Sequence, residues 1–328
     1  MSKKTQADIN AVSEKIISDK TFTDKTVDLS TRLASLKLNN PLITASGTCG
    51  FGEELVDFID IEKLGAITVK GITVNPREGN STPRIVETAA GLLNSIGLEN
   101  PGIEKFINEK LSIFKKYNVP IIVNISGHSL DDFSYLADKL APYDEIAALE
   151  VNVSCPNIAG GGMTFGTDPE LIYSVTEGVR EVYDGTVIVK LSPNVTNIVE
   201  MARAAEDAGA DIVSLINTLL GMKIDVNKRR PELGNIFGGL SGPAIKPVAL
   251  RMVYQVASSI KIPIIGMGGI MSGNDALEFL MAGANAVSVG TATMIDPELP
   301  IKIIAELEDY MQVNNLKTID DIIGAAQI

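Results

Sequence analysis

Eight short apolar runs, each followed by a segment of helical character, constrain this chain more than any other feature. They are PLITASG (41–47), AITVKG (66–71), PIIVNISG (120–127), ALEVNVSCP (148–156), TVIVKLSP (186–193), DIVSLINT (211–218), PIIGMGGI (263–270) and NAVSVGTAT (285–293). Near-continuous, β-branched runs belong to strands buried on both faces, the pattern of a parallel sheet covered by helices. MARAAEDAGAD (201–211) and NDALEFLMAGAN (274–285) read as two of the covering helices, each closing near a glycine. Eight such units predict a closed (β/α)8 TIM barrel rather than an open sheet. A barrel of this kind takes about 250 residues, and the chain has 328. The surplus falls in a polar tail, 1–26, and in two long gaps between strands, 72–119 and 219–262. Residues 27–328 are therefore expected to form one domain with long loop insertions at the C-terminal face, where lids and substrate loops sit.

Charge and composition narrow the function. A formal net charge of −13 argues against nucleic acid, which draws on clustered Lys and Arg. No apolar run reaches the roughly 18 residues of a membrane span, and the first twenty residues lack the apolar core of a signal peptide. The two cysteines, Cys49 and Cys155, form no disulfide framework and no C-x-x-C pair. They are too few for an iron–sulfur cluster, which takes about four ligands. A reduced, cytoplasmic protein without a metal site is expected. The one histidine, His128, is read as an exposed loop residue, and KRR (228–230) as a solvated loop rather than a partner contact.

In a parallel barrel the active site lies at the C-terminal ends of the strands. The inventory there is Ser46, Lys70, Asn124, Asn152 with Cys155, Lys190, Asn217 with Thr218, Gly268 with Gly269, and Gly290 with Thr291. It holds two lysines, several amides, one thiol and no carboxylate. Amides and hydroxyls suit a flat heterocycle with carbonyl and N–H groups, and lysines suit a carboxylate or a developing anion. Glycines at the ends of the last two strands suit a phosphate, though glycine there is also ordinary turn chemistry. Lys190 fits two chemistries, stabilising charge on a reduced isoalloxazine ring or forming a Schiff base in an aldolase.

Cys155, in VNVSCPN (151–157), stands at the lip of a strand before the glycine-rich IAGGGMTFGTDP. A free cysteine is most often a small buried hydrophobe. The polar neighbours and Pro156 favour a thiol that accepts a proton, its ordinary pKa being about 8.5. Nucleophilic catalysis would want a histidine partner, and His128 lies after a different strand. Cys49, in SGTCGFG, has no comparable setting and is read as structural.

VNVSCPN, NSIGLENPG, VKLSPN, NTLLGMKID, GGLSGPAIKP, GMGGI and VGTA, in this order from about residue 28 to about 310, resemble the class 1 dihydroorotate dehydrogenases, flavin enzymes of pyrimidine (UMP) biosynthesis. The cysteine itself resembles class 1, because the membrane-associated class 2 enzymes carry serine there and an N-terminal membrane helix pair. The resemblance implies one FMN per chain, held by Ser46, Lys70, Gly71, Asn124, Asn152, Lys190, Ile216, Gly242, Gly268, Gly269, Gly290 and Thr291. It implies dihydroorotate and orotate contacts from Lys70, Asn94, Ser95, Ile96, Gly97, Leu98, Asn152, Asn157, Asn217 and Thr218. Cys155 would remove the C5 proton while the C6 hydrogen passes as hydride to the flavin. IAGGGM, NTLLGMKID and GGLSGPAIKP are similar to subtype B. That implies a homodimer joined to a partner subunit carrying FAD and a 2Fe-2S cluster, a heterotetramer passing electrons to NAD+. The chain has no G-x-G-x-x-G fingerprint of its own for NAD+. A fumarate-reducing subtype A enzyme, a dihydropyrimidine dehydrogenase and a non-redox aldolase or isomerase are the alternatives. The tail, and Cys49 where an aromatic is more usual, depart from the family pattern.

Overall fold

Each of the eight apolar runs forms a strand. The computed structural model describes residues 27–154, 156–157 and 163–328, with the backbone alone for Pro156, Asn157, Met163 and Thr164. The tail 1–26 and Cys155 lie outside the described residues. The strands are β1 (Leu42–Thr44), β2 (Ala66–Ile72), β3 (Ile121–Ile125), β4 (Ile146–Asn152), β5 (Thr186–Lys190), β6 (Ile212–Leu215), β7 (Ile264–Met267) and β8 (Ala286–Val289). They close into a parallel barrel in simple chain order, β8 pairing back onto β1 through Val287 and Leu42. The expected (β/α)8 barrel is the observed fold.

Alternation along each strand separates two cores. Outward side chains such as Val69, Val123, Leu149, Val189 and Val213 pack under the helices. Inward ones, Ile43, Ala66, Ile122, Ala148, Ile188, Ile212, Ile265 and Ala286, build an apolar floor inside the barrel. A hairpin of Thr31–Leu33 and Leu36–Leu38 closes the N-terminal end and adds Leu33, Leu36 and Leu38 to that floor. Above the floor the inward positions turn polar, with Asn124, Glu150, Lys190 and Ser214 all buried. The two helices anticipated from sequence are Ile198–Asp207 and Gly273–Met281. Each is capped at its start by a side chain, Asn197 and Ser272, that accepts a backbone N–H. Gly209 (φ +92°) and Gly283 (φ +106°) follow their C-termini in the left-handed conformation that stops a helix.

The two long gaps are not independent loops. The first contributes the strands Ile85–Thr88 and Gly91–Asn94, the second Leu219–Met222 and Phe237–Ser241. These form one four-stranded antiparallel sheet, with Phe237–Ser241 pairing both with Leu219–Met222 and with Gly91–Asn94. Short polar sequences such as GLLN and FGGLS carry little strand signal by themselves. They become strands because each insertion supplies backbone partners to the other. A small hairpin, Ile224–Asp225 with Arg230–Pro231, projects beyond this sheet and carries Lys228, Arg229 and Arg230 exposed, as a solvated turn does. Among the described residues no helix is long and apolar enough to cross a membrane.

Because the hairpin plugs the end of the barrel remote from the strand C-termini, its contribution is separable from the chemistry. Leu33 is fully buried, and Leu33→Ala should lower the unfolding free energy by about 2–5 kcal/mol. Urea denaturation followed by far-UV circular dichroism reads this as a lower midpoint with an unchanged slope. An unchanged midpoint would mean that the floor does not need the plug.

Candidate active site

The polar layer inside the barrel is knitted around one carboxylate. Glu150 on β4 accepts a hydrogen bond from Asn124 Nδ2 on β3 at 2.7 Å, and another from Ser214 Oγ on β6 at 2.9 Å. Lys190 on β5 places its Nζ 3.5 Å from Glu150 Oε2 and donates to Ser46 Oγ, just beyond β1, at 3.0 Å. Lys190 is 4 % exposed and Glu150 3 %. Lys190 is therefore not a rim lysine reaching for solvent but one partner of a buried ion pair.

Above this layer opens a cavity of about 860 Å3, a size usual for a bound small molecule or cofactor. Every strand end contributes. Ser46, Lys70 with Gly71, Asn124 and Asn152 line it from the first four strands. Lys190, Ile216 with Asn217 and Thr218, Gly268 with Gly269, and Gly290 with Thr291 line it from the last four. Asn94, Ser95, Ile96, Gly97 and Leu98, from the first insertion, and Gly242, from the second, complete the wall. Each sequence-predicted site residue whose side chain is described thus faces one cavity. The Asn157 side chain and Cys155 lie outside the described residues.

Close packing explains several of the glycines. A Cβ on Gly71 would stand 2.7 Å from Asn124 Oδ1, and one on Gly269 (φ +77°) would stand 2.8 Å from the Gly242 carbonyl oxygen. The glycine turns from β7 and the second insertion therefore touch through their backbones, with no side chain between them. Nearby, Thr291 Oγ1 hydrogen-bonds to Ser241 Oγ at 2.8 Å. On the opposite side Asn217 Nδ2 donates to Asn152 Oδ1 at 3.3 Å and to Ser154 Oγ at 3.0 Å, tying the end of β6 to that of β4. Ser95 Oγ, Asn124 Oδ1 and Ser126 Oγ are buried with no hydrogen-bond partner among the described residues. Of the three, Ser95 and Asn124 line the cavity; an unpaired buried polar atom costs about 1–3 kcal/mol, so a wall that holds these two suits a ligand that pairs them.

One expectation needs correction, and one group lay outside the inventory. No strand end carries a carboxylate, as expected, but Glu150 lies directly behind them, and the cavity rim carries Glu99 from the first insertion, paired with Arg84. The signal for Glu150 was present in ALEVN, because a residue two before an inward-facing Asn152 must also face inward. His128 is half-buried in the cavity wall with its Nε2 against the Arg77 guanidinium, not an exposed loop histidine. Its backbone N–H donates to Asp132 Oδ2 at 2.8 Å, which turns the loop after β3 inward. The two insertions expected at the C-terminal face contribute to the wall, joined as a paired sheet.

A family model described as Dihydroorotate dehydrogenase matches residues 28–311. The chain belongs to the dihydroorotate dehydrogenase family. Curated relatives agree along nearly the whole length. The chain is 56 % identical over 298 residues to "Dihydroorotate dehydrogenase B (NAD(+)), catalytic subunit" of Geotalea uraniireducens (strain Rf4), covering 91 % of this chain and 98 % of the relative. It is 54 % identical over 304 residues to the protein of that name from Geobacter metallireducens, 93 % and 100 % of the two chains. The counterpart from Thermoanaerobacter pseudethanolicus is 52 % identical over 302 residues, 92 % and 100 %. The family is one of oxidoreductases, which removes the ground for an aldolase built on Lys190.

Cys49 behaves as its sequence setting suggested. It is 2 % exposed, and its Sγ–H points to Thr44 Oγ1 at 3.4 Å. Burial pushes its pKa up to about 11, against the relief of the Thr44 hydrogen bond. At pH 8 so little thiolate forms that alkylation of Cys49 in the folded chain should be about two orders of magnitude slower than that of a free thiol. Iodoacetamide labelling with peptide mapping, before and after denaturation, checks this. Rapid labelling of Cys49 in the native protein would contradict its place in the core.

Proposed function

We propose that this chain is the FMN-carrying catalytic subunit of an NAD+-linked dihydroorotate dehydrogenase, oxidising dihydroorotate to orotate in pyrimidine biosynthesis. The observation that carries it is the convergence of all eight strand ends on one cavity whose donors and acceptors match a flavin and a cyclic imide. Asn124 Oδ1, buried and unpaired beside Gly71, offers an acceptor to a ring N–H. Lys70 and Lys190 offer positive charge, and the turns of Gly242 and Gly269, free of side chains, present backbone to the cavity where a phosphate would sit. Bound FMN supplies the acceptor for the hydride that leaves C6 of the substrate.

The chain's own residues do the rest. Asn94–Leu98 from the first insertion, together with Asn152, Asn157, Asn217 and Thr218, hold the substrate's carbonyl, N–H and carboxylate groups, and Lys70 meets its negative charge. Cys155 takes the C5 proton onto its sulfur as the C6 hydrogen departs with its electron pair, leaving the C5–C6 double bond of orotate. Ser154, anchored by Asn217, fixes the backbone immediately before that thiol. The two electrons leave through a partner subunit carrying FAD and an iron–sulfur cluster, because the two cysteines of this sequence cannot supply about four cluster ligands. The printed name of the relatives, a catalytic subunit of an NAD+ enzyme, supports the same division of labour. A homodimer of this chain within that complex, located in the cytoplasm, completes the proposal.

The purified chain should be yellow, and anaerobic dihydroorotate should bleach its band near ~450 nm. Neither NAD+ nor fumarate should restore the colour without the partner. Recovery with fumarate alone would make it a self-sufficient enzyme of the other subtype, and tighter binding of uracil than of orotate would turn the reading to a dihydropyrimidine dehydrogenase. Replacing the base tests the chemistry separately. Cys155→Ser should bind FMN normally and slow its reduction by dihydroorotate about 10²–10⁴-fold in stopped-flow absorbance. Reduction at the wild-type rate would remove Cys155 from the mechanism.

A further inference from the structure

Glu150 is a buried charged group that the proposed chemistry leaves unused. It does not line the cavity, but two residues that do, Asn124 and Lys190, are held from behind by its carboxylate. Oε2 accepts from Asn124 Nδ2 at 2.7 Å and lies 3.5 Å from Lys190 Nζ. Oε1 accepts from Ser214 Oγ at 2.9 Å. The register of the barrel requires these contacts, since Asn124 lies opposite Glu150 across β3 and β4, and Lys190 opposite Ser214 across β5 and β6.

We propose that Glu150 is a positioning residue that fixes the Asn124 amide and the Lys190 ammonium and, by cancelling the lysine's charge, sets the reduction potential of the bound flavin. This rests on the FMN reading above. Two consequences follow from the geometry. With Nδ2 committed to the carboxylate, Asn124 turns its other amide atom, Oδ1, toward Gly71 in the cavity wall, so the site offers an acceptor there and not a donor. The second consequence is electrostatic. Reduction places negative charge on the flavin, which a bare lysine would favour. In a site this buried the charges are poorly screened, and the paired carboxylate offsets the lysine. The potential is held below the value that Lys190 alone would give, so that the reduced flavin passes its electrons on more readily.

Charge arithmetic supplies the test. Glu150→Gln keeps the shape and an acceptor oxygen for Asn124, with its new N–H able to donate to the Ser214 hydroxyl, but leaves the pocket one positive charge richer. Its holoenzyme, titrated anaerobically against reference dyes, should favour reduced over oxidised FMN at least tenfold more than wild type, an upward shift of about 30 mV for a two-electron couple. The oxidised flavin's visible band should move as well. Ser214→Ala removes one hydrogen bond to the same carboxylate and no charge, and should stay within threefold of wild type. A Glu150→Gln holoenzyme within threefold of wild type overturns the proposal. So does an equal shift in Ser214→Ala, because packing rather than charge would then be responsible. If Glu150→Gln does not fold or retain FMN, the charge-preserving variant Glu150→Asp decides. It keeps one negative charge behind Lys190 and should bind FMN with a potential within threefold of wild type, and a tenfold difference or loss of flavin in Glu150→Asp overturns the idea. A wild-type chain that takes up no FMN removes the flavin reading itself, and this inference with it.

Discussion

Two opposite charges lie inside the barrel, and much of the molecule is arranged to make that tolerable. Removing a carboxylate and an ammonium from water costs several kcal/mol for each ion, recovered only with good geometry and satisfied hydrogen bonds. Glu150 meets that demand with Asn124, Lys190 and Ser214, and Lys190 adds Ser46. These groups come from β3, β4, β5 and β6 and from the turn just beyond β1. Their meeting requires the barrel to close at one register, since a slip of a single residue would turn every inward side chain outward. The apolar floor below secures the register by packing, and the plug of Leu33, Leu36 and Leu38 completes the floor. The polar layer is thus bounded below by hydrocarbon and above by the cavity, which is where its charge can act.

The upper boundary is made differently. Strand ends can place side chains around a cavity but cannot cover it, and the cover comes from the two insertions joined as a sheet. Phe237–Ser241 is central to it, pairing on one side with the strand that follows Thr218 and on the other with the strand that ends at Asn94. Backbone pairing therefore links the cavity-lining run Asn94–Leu98 to Thr218, although the two lie more than a hundred residues apart in the sequence. A change in either insertion is felt in the other through main-chain hydrogen bonds, so this part of the cavity wall behaves as one piece.

How much of this was legible in the sequence depended on whether the information was local. Each barrel strand carries its own signal, a β-branched run stopped by a polar residue or glycine, and all eight appeared where the runs lay. The cavity wall followed, because the fold rule assigns strand ends to the site and the glycines and amides there are distinctive. Glu150 was overlooked because it stands mid-strand in ALEVN, where attention to strand ends does not look, although alternation from Asn152 points to it. The four-stranded sheet was not legible for a different reason. Its strands are short, and their pairing is between segments distant in sequence, so neither half predicts itself. His128 was misplaced for the same cause. Nothing near it in the chain announces Arg77, which reaches it from the first insertion.

The entry to the VNVSCPN turn brings the local and the distant together. The chain enters the VNVSCPN turn from β4, whose last residue, Asn152, has its Oδ1 approached by Asn217 Nδ2 and by the Ser154 backbone N–H, each at 3.2–3.3 Å. Asn217 Nδ2 reaches Ser154 Oγ as well. On the far side, Asn157 and Pro156 pair with Met163 and Thr164 in a short antiparallel ladder, and Gly166 N–H returns to the Val153 carbonyl at 2.7 Å. The segment that carries Cys155 is therefore pinned at both feet, one to the end of β6 and the other to its own return strand. These contacts fix the chain on either side of the turn, whatever course the turn itself takes. The same asparagine, Asn217, lines the cavity, so one side chain joins the cavity wall to the entry of this turn.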